Sequence, residues 1–207
     1  MKPFNKKKLA IASGLALCAG LLAPQAAFAQ DKGFYMGIGL GQSKAKDWCG
    51  DLASDGFTGS CDDTATGKKI FLGYQYNKNF AIEGAYVDLG KAKASETVLG
   101  VPVSAYAKAK TWQLVAVGTL PLANNFSLFG KAGLHNWDLD VGASALGLSD
   151  KVSDKGTDFT FGFGAGYEIT KNLGLRLEWE RFRHVGEEDT TGKSNVDLLS
   201  VGLRYRF

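Results

Sequence analysis

In TDFTFGFGAGYEIT, residues 157–170, two kinds of side chain alternate without a break. Phe159, Phe161, Phe163, Ala165, Tyr167 and Ile169 share one parity, and Thr160, Gly162, Gly164, Gly166 and Glu168 share the other. A β-strand sends successive side chains to opposite faces, so the stretch reads as a strand with one apolar face and one face of glycine and polar groups. Lys171-Asn172 follows as a tight turn. Leu173 to Val185 then alternates again, with Leu173, Leu175, Leu177 and Trp179 against Arg176, Glu178 and Glu180.

The same pattern extends in both directions. Asn195 to Phe207 sets Leu199, Val201, Leu203, Tyr205 and Phe207 against Ser200, Gly202, Arg204 and Arg206. Upstream, Phe126 to Asp138 sets Leu128, Gly130, Ala132 and Leu134 against Ser127, Phe129, Lys131, Gly133 and His135. Ser104 to Leu120 sets Trp112, Leu114, Ala116 and Leu120 against Thr111, Gln113, Val115, Val117 and Thr119. Phe80 to Gly90, Gly67 to Asn77 and Gly33 to Ser43 complete the set. Their apolar parity carries Ile82, Tyr86, Ile70, Leu72, Tyr74, Phe34, Met36, Ile38 and Leu40. Short turns follow the second, fourth and sixth segments, and long polar connections follow the first, third, fifth and seventh. Eight strands of about ten residues, joined by alternately short and long connections, are the layout of a bacterial transmembrane barrel with both termini in the periplasm.

A soluble eight-stranded barrel has the same period but the opposite sidedness. Here the second face carries Glu83, Lys131, Arg176, Glu178, Arg204 and Arg206 among glycines, which makes a poor apolar ligand cavity and suits a narrow polar lumen. The apolar face then meets lipid, and closure pairs every backbone group in the hydrocarbon. Phe34, Tyr76, Phe80, Phe126, Tyr205 and Phe207 cluster toward the short turns, and Trp112, Phe159 and Trp179 toward the long connections, as two interfacial girdles would. The fold expected is an all-β, eight-stranded, antiparallel up-and-down transmembrane barrel over residues 30–207.

Residues 1–29 read as a Sec signal peptide. Lys2, Lys6, Lys7 and Lys8 form a basic head, Leu9 to Leu22 an apolar core, and Ala27-Phe28-Ala29 a cleavage site before Gln30. Cys18 follows the bulky Leu17, so it reads as part of that core and not as a lipidation site. Removing four lysines with the signal leaves 20 basic residues against 21 acidic ones, which gives no basis for nucleic-acid binding. Cys49 and Cys61 flank a Gly-rich polar stretch and in an exported chain read as a disulfide. No His or third Cys stands near them to complete a zinc site. Asp47, Asp51, Asp55, Asp62 and Asp63 lack an EF-hand pattern and read as a solvated, disulfide-braced loop. The two histidines, His135 and His184, show no spacing to Ser144 or Ser149 that would support hydrolysis, so no catalytic residue, metal or cofactor is assigned.

The mature chain resembles the transmembrane domain of the outer-membrane protein A superfamily. The resemblance is carried by FYMGIGLG (34–41), GYQYN (73–77), FAIEGAYVDLG (80–90), WQLVAVGTLPL (112–122), GYEITKNLGLRLEWE (166–180) and LSVGLRYRF (199–207). It implies a lumen salt-bridge network that behaves as a gate, with Glu83, Lys131, Arg176, Glu178 and Arg206 at the matching positions. It also implies a barrel-assembly signal in Leu203, Tyr205 and Phe207. Partners implied are outer-membrane lipids and lipopolysaccharide, the barrel-assembly machinery, periplasmic chaperones and an extracellular ligand at the loops. The sequence departs from the family's pattern at Val117, where an interior lysine is expected, and at Gly166, where a second interior glutamate is expected. One charged pair is therefore missing, and the family's gate is not carried over. The chain stops at the barrel, so cell-wall anchoring is not expected. The functional expectation is a non-enzymatic outer-membrane protein with a structural and surface role. A narrow channel is the alternative, and a lipid-modifying enzyme ranks behind both.

Overall fold

Alternation of this length leaves each strand no choice of face, and a computed structural model shows the result. It describes residues 32–46, 48–54, 56–98, 100–145, 148–187 and 191–207. The signal-peptide assignment at 1–29, Asp47 and Asp55 lie outside the described residues. In chain order the elements are β1 (Gly33–Ala45), α1 (Trp48–Ser54), β2 (Ser60–Asp62), β3 (Thr64–Gln75), β4 (Phe80–Val98), β5 (Val101–Pro121), β6 (Phe126–Ala145), β7 (Leu148–Glu168), β8 (Leu173–Val185) and β9 (Ser194–Arg206).

Eight of these strands pair antiparallel around a closed wall, β1-β3-β4-β5-β6-β7-β8-β9, and β9 returns to β1 with Ile38 opposite Leu203. The three-residue β2 adds to the outer part of β4. The short turns are set by local side chains. Asn77 Oδ1 accepts from the backbone N–H groups of Asn79 and Phe80, both at 2.9 Å. Asn124 and Asn125, in the turn between β5 and β6, take φ of 58° and 65°, the left-handed region that asparagine tolerates.

Four strands are longer than expected. β4 to β7 run 19 to 21 residues, so the connections after the third and fifth segments are not loops. They are hairpins whose pairing continues to Val98↔Val101 and Ala145↔Leu148. The cause is legible in KAKASETV (91–98) and AYAKAKT (105–111), where Ala and Lys alternate at a strand's period despite modest β-propensity. A 20-residue strand tilted by about 40° rises roughly 50 Å, against a hydrocarbon thickness of about 30 Å. The extra length therefore stands on the side of the long connections, above the membrane.

At that level the wall reverses its sidedness. On every strand the outward residues change from apolar to polar: Leu40 to Gln42, Ile70 to Lys68, Tyr86 to Asp88, Trp112 to Lys110, Leu134 to Asn136, Phe159 to Thr157, Trp179 to Arg181 and Leu199 to Asp197. The inward residues change from a mixed set to a largely apolar one. Below, Glu83, Lys131, Glu178 and Ser200 are buried together with Phe71, Val115, Val117 and Phe129; above lie Val87, Leu89, Leu139, Phe182, Val196 and Leu198, all buried. The charged lumen read from the sequence thus holds in the membrane half, while the outer half, whose stretches read as polar connections, has the apolar interior of a water-soluble barrel. A bulge at Gly90 (φ +81°), between Asp88 and Lys91, keeps Ala92 and Ala94 inside as the strand crosses between the two regimes.

Candidate functional site: the lumen plug and the outer lobe

Six charged side chains from four strands meet in the membrane half of the lumen: Lys69 from β3, Glu83 from β4, Lys131 from β6, and Arg176, Glu178 and Glu180 from β8. Alternation on β8 puts its three inward charges in one column. Across the ladder stand residues too small to compete for space: Gly166 opposite Arg176, Gly164 opposite Glu178 and Gly162 opposite Glu180. At Gly164 a Cβ would come within 2.5 Å of the Phe129 ring and 2.9 Å of Glu178 Cβ, so only glycine lets this column pack.

The pairing is dense. Arg176 Nη1 donates to Glu83 Oε2 at 2.6 Å, and its Nη2 donates to Glu178 Oε2 at 3.0 Å. Lys131 Nζ reaches Glu178 Oε2 at 2.9 Å and Glu180 Oε1 at 2.5 Å. Lys69 Nζ lies 2.8 Å from Glu180 Oε2 and also bonds Glu178. The Tyr35 hydroxyl donates to Glu83 at 3.1 Å, and Gln113 Nε2 donates to Glu180 at 2.9 Å. Three cations face three anions, so the cluster is neutral as a whole, and every member is buried. The Arg176 guanidinium is held between the Phe71 and Phe129 rings, 4.6 and 4.5 Å from their centroids.

Of the residues assigned to this network from the sequence, Glu83, Lys131, Arg176 and Glu178 come together. Arg204 does not join them. It pairs with Glu168 nearer the periplasmic end, with its guanidinium 5.7 Å from the Tyr35 ring. Arg206 makes no ion pair among the described residues, and its Nε is buried without a hydrogen-bond partner. Lys69 and Glu180 share the interior parity of these residues, and sequence reading does not assign them to the network. They supply an opposite pair in place of the one missing at Val117 and Gly166. Parity gives the face of a side chain, not its height or reach, and these two meet across the bore.

Cys49, on α1, is bonded to Cys61, on β2, with a Cα–Cα separation of 5.8 Å, which fastens the short helix to the outer part of β4. Leu203, Tyr205 and Phe207 all point outward, and the last two rings pack edge-on at 5.3 Å. His135 hydrogen-bonds Thr111 (3.1 Å) and the carbonyl of Arg183 (3.0 Å), and His184 Nδ1 lies 2.9 Å from Asp158. Neither engages Ser144, whose hydroxyl pairs with that of Ser104 at 2.8 Å. Among the described residues no group of three or more His, Cys, Asp or Glu side chains is placed to hold a metal.

Residues 29–207 match the family model of the OmpA-like transmembrane domain. Outer membrane protein A of Yersinia pseudotuberculosis is 32% identical over 204 residues, covering 97% of this chain and 56% of that protein. The chain thus spans about half the length of the curated relatives it matches. Among solved structures, Ail of Yersinia pestis, in complex with the heparin analogue sucrose octasulfate, aligns with a TM-score of 0.54 at 17% identity, covering 86% of this chain and 100% of that one. Neisserial surface protein A aligns with a TM-score of 0.54 at 18% identity, covering 84% and 97%. These two likenesses concern the fold.

Proposed function

The chain belongs to the family of the OmpA-like transmembrane domain, and from that premise we propose that it is a sealed scaffold of the outer membrane that carries a folded β lobe into the extracellular space. It is an integral outer-membrane barrel and not an enzyme. The observation that carries the sealed reading is the neutral cluster of Lys69, Lys131, Arg176, Glu83, Glu178 and Glu180, closed by Tyr35, Phe71 and Phe129. An ion entering the bore would have to displace a partner from a buried charge, and a buried charge left unpaired costs several kcal/mol.

The lobe supports the surface role. Its outer face is charged, with Lys155–Asp138 and Lys151–Asp140 bridges at 2.9 Å, and it carries α1 and β2. Lys68 and Lys110, both opposite Asp88, stand just above the aromatic belt of Tyr86 and Trp112 and in this reading meet the phosphates of lipopolysaccharide. Leu203, Tyr205 and Phe207 form the signal by which the assembly machinery takes up the chain from periplasmic chaperones. Planar-bilayer recording tests the sealed reading. Wild-type protein, shown to be folded by heat-dependent gel mobility, is expected to give no unitary openings. Arg176→Ala removes the bridge between two carboxylates and is expected to introduce them. Reproducible wild-type openings of fixed size would establish the channel instead.

A further inference from the structure

A cavity of about 280 Å³ lies inside the outer lobe, on the extracellular side of the plug. Its walls are apolar and come from five strands: Leu89, Ala109, Leu139, Val185 and Val196. Helix α1 covers it with Trp48 and Leu52, and the Cys49–Cys61 bond next to Trp48 anchors that cover to the wall. Asp51 and Lys193, both exposed, stand on the rim, so the cavity reaches solvent.

Apart from the exposed Asp51 and Lys193, the polar side chains around the cavity are already engaged, with one exception. The Ser43 hydroxyl bonds the carbonyls of Ala65 and Leu89, the Ser194 hydroxyl bonds that of Lys46, and Asp63 pairs with Lys44 at 3.6 Å. Trp48 Nε1 is buried and finds no hydrogen-bond partner among the described residues. An unsatisfied N–H on an apolar cavity is costly unless a ligand completes it. Apolar walls with one convergent donor are the makings of a small-molecule site.

We propose that this cavity binds a small uncharged amphiphile, an aliphatic chain or ring carrying one carbonyl-type oxygen, whose oxygen accepts the Trp48 indole N–H. An anion fits poorly, because the lining carries two carboxylates, Asp51 and Asp63, against the one cation Lys193. The site lies above the plug, so it stands whether or not the lumen conducts.

The test is a titration of the mature protein in lipid nanodiscs with 2-octanone, read by ¹H–¹⁵N shifts of the Trp48 indole and the Leu89 and Ala92 amides. Saturable shifts at all three are expected. Trp48→Phe, which keeps an aromatic side chain and removes the donor, should weaken binding about fivefold, the worth of one neutral hydrogen bond. Ala109→Leu, which fills the cavity, should abolish binding while gel mobility shows a folded barrel. Octanoate should bind at least about tenfold more weakly, since its carboxylate must be desolvated. Shifts that rise without saturating, that survive Ala109→Leu, or that are matched by octanoate would overturn the proposal.

Discussion

Glu180 shows what a single plug residue does. It is fully buried and accepts from Lys69 (2.8 Å), Lys131 (2.5 Å) and Gln113 (2.9 Å). Glu180→Gln would leave two lysines in low dielectric with one partner fewer, which costs about 3–5 kcal/mol when a buried pair is broken from one side. Glu180→Gln combined with Lys69→Met removes a matched pair and should recover most of that loss. Urea unfolding from lipid vesicles measures both; a single variant as stable as wild type would contradict the pairing. Gly73 is the second test at this scale. A Cβ there would sit 2.1 Å from Cζ of Tyr35, whose ring lies flat against the strand. Gly73→Ala should destabilise by about 1–3 kcal/mol through overpacking, and by much less when compared within a Tyr35→Ser background. An equal cost of Gly73→Ala in the two backgrounds would argue against the close approach.

At the scale of elements, the outer hairpins are held on their wet face by charge ladders. Asp140 accepts from Ser153 Oγ at 2.7 Å and pairs with Lys151 at 2.9 Å, and these bonds hold its carboxyl below the usual aspartate range. A depressed folded-state pKa adds stability above the ordinary aspartate value and loses it as pH falls through the lowered one. Amide protection beside Asp140 is therefore expected to fall by a small amount, not to vanish, as pH drops below about 4. Asp140→Asn should reduce this acid sensitivity; hydrogen exchange of Ser153 and Val152 reads it, and an Asp140→Asn profile identical to wild type would contradict the assignment. These hairpins are also where the sequence was least legible. The membrane strands announce themselves because Phe, Leu, Trp and Tyr recur at every second position. In KAKASETV the inward residues are alanines, which carry little β signal and little hydrophobic weight, so a paired strand reads as a polar connection.

The whole molecule is a barrel with two solvents. Closure, sidedness in the membrane and the placing of four plug charges were all present in the alternation of residues 33–207. The membership of Lys69 and Glu180, the separation of Arg204 and the cavity under α1 were not, because they depend on height along the bore and on which strands face each other across it. The change of filling at the level of Trp112 and Trp179 joins these parts: paired charges and aromatic rings occupy the membrane half, and a largely apolar interior holds the outer half together in water. The most direct test is nitroxide scanning along β5, comparing accessibility to oxygen, which dissolves in lipid, and to a water-soluble nickel chelate. Labels at 112, 114 and 116 should respond to oxygen alone, and labels at 106, 108 and 110 to nickel. Oxygen response continuing through 108 and 106 would contradict a wall that reverses at the membrane surface.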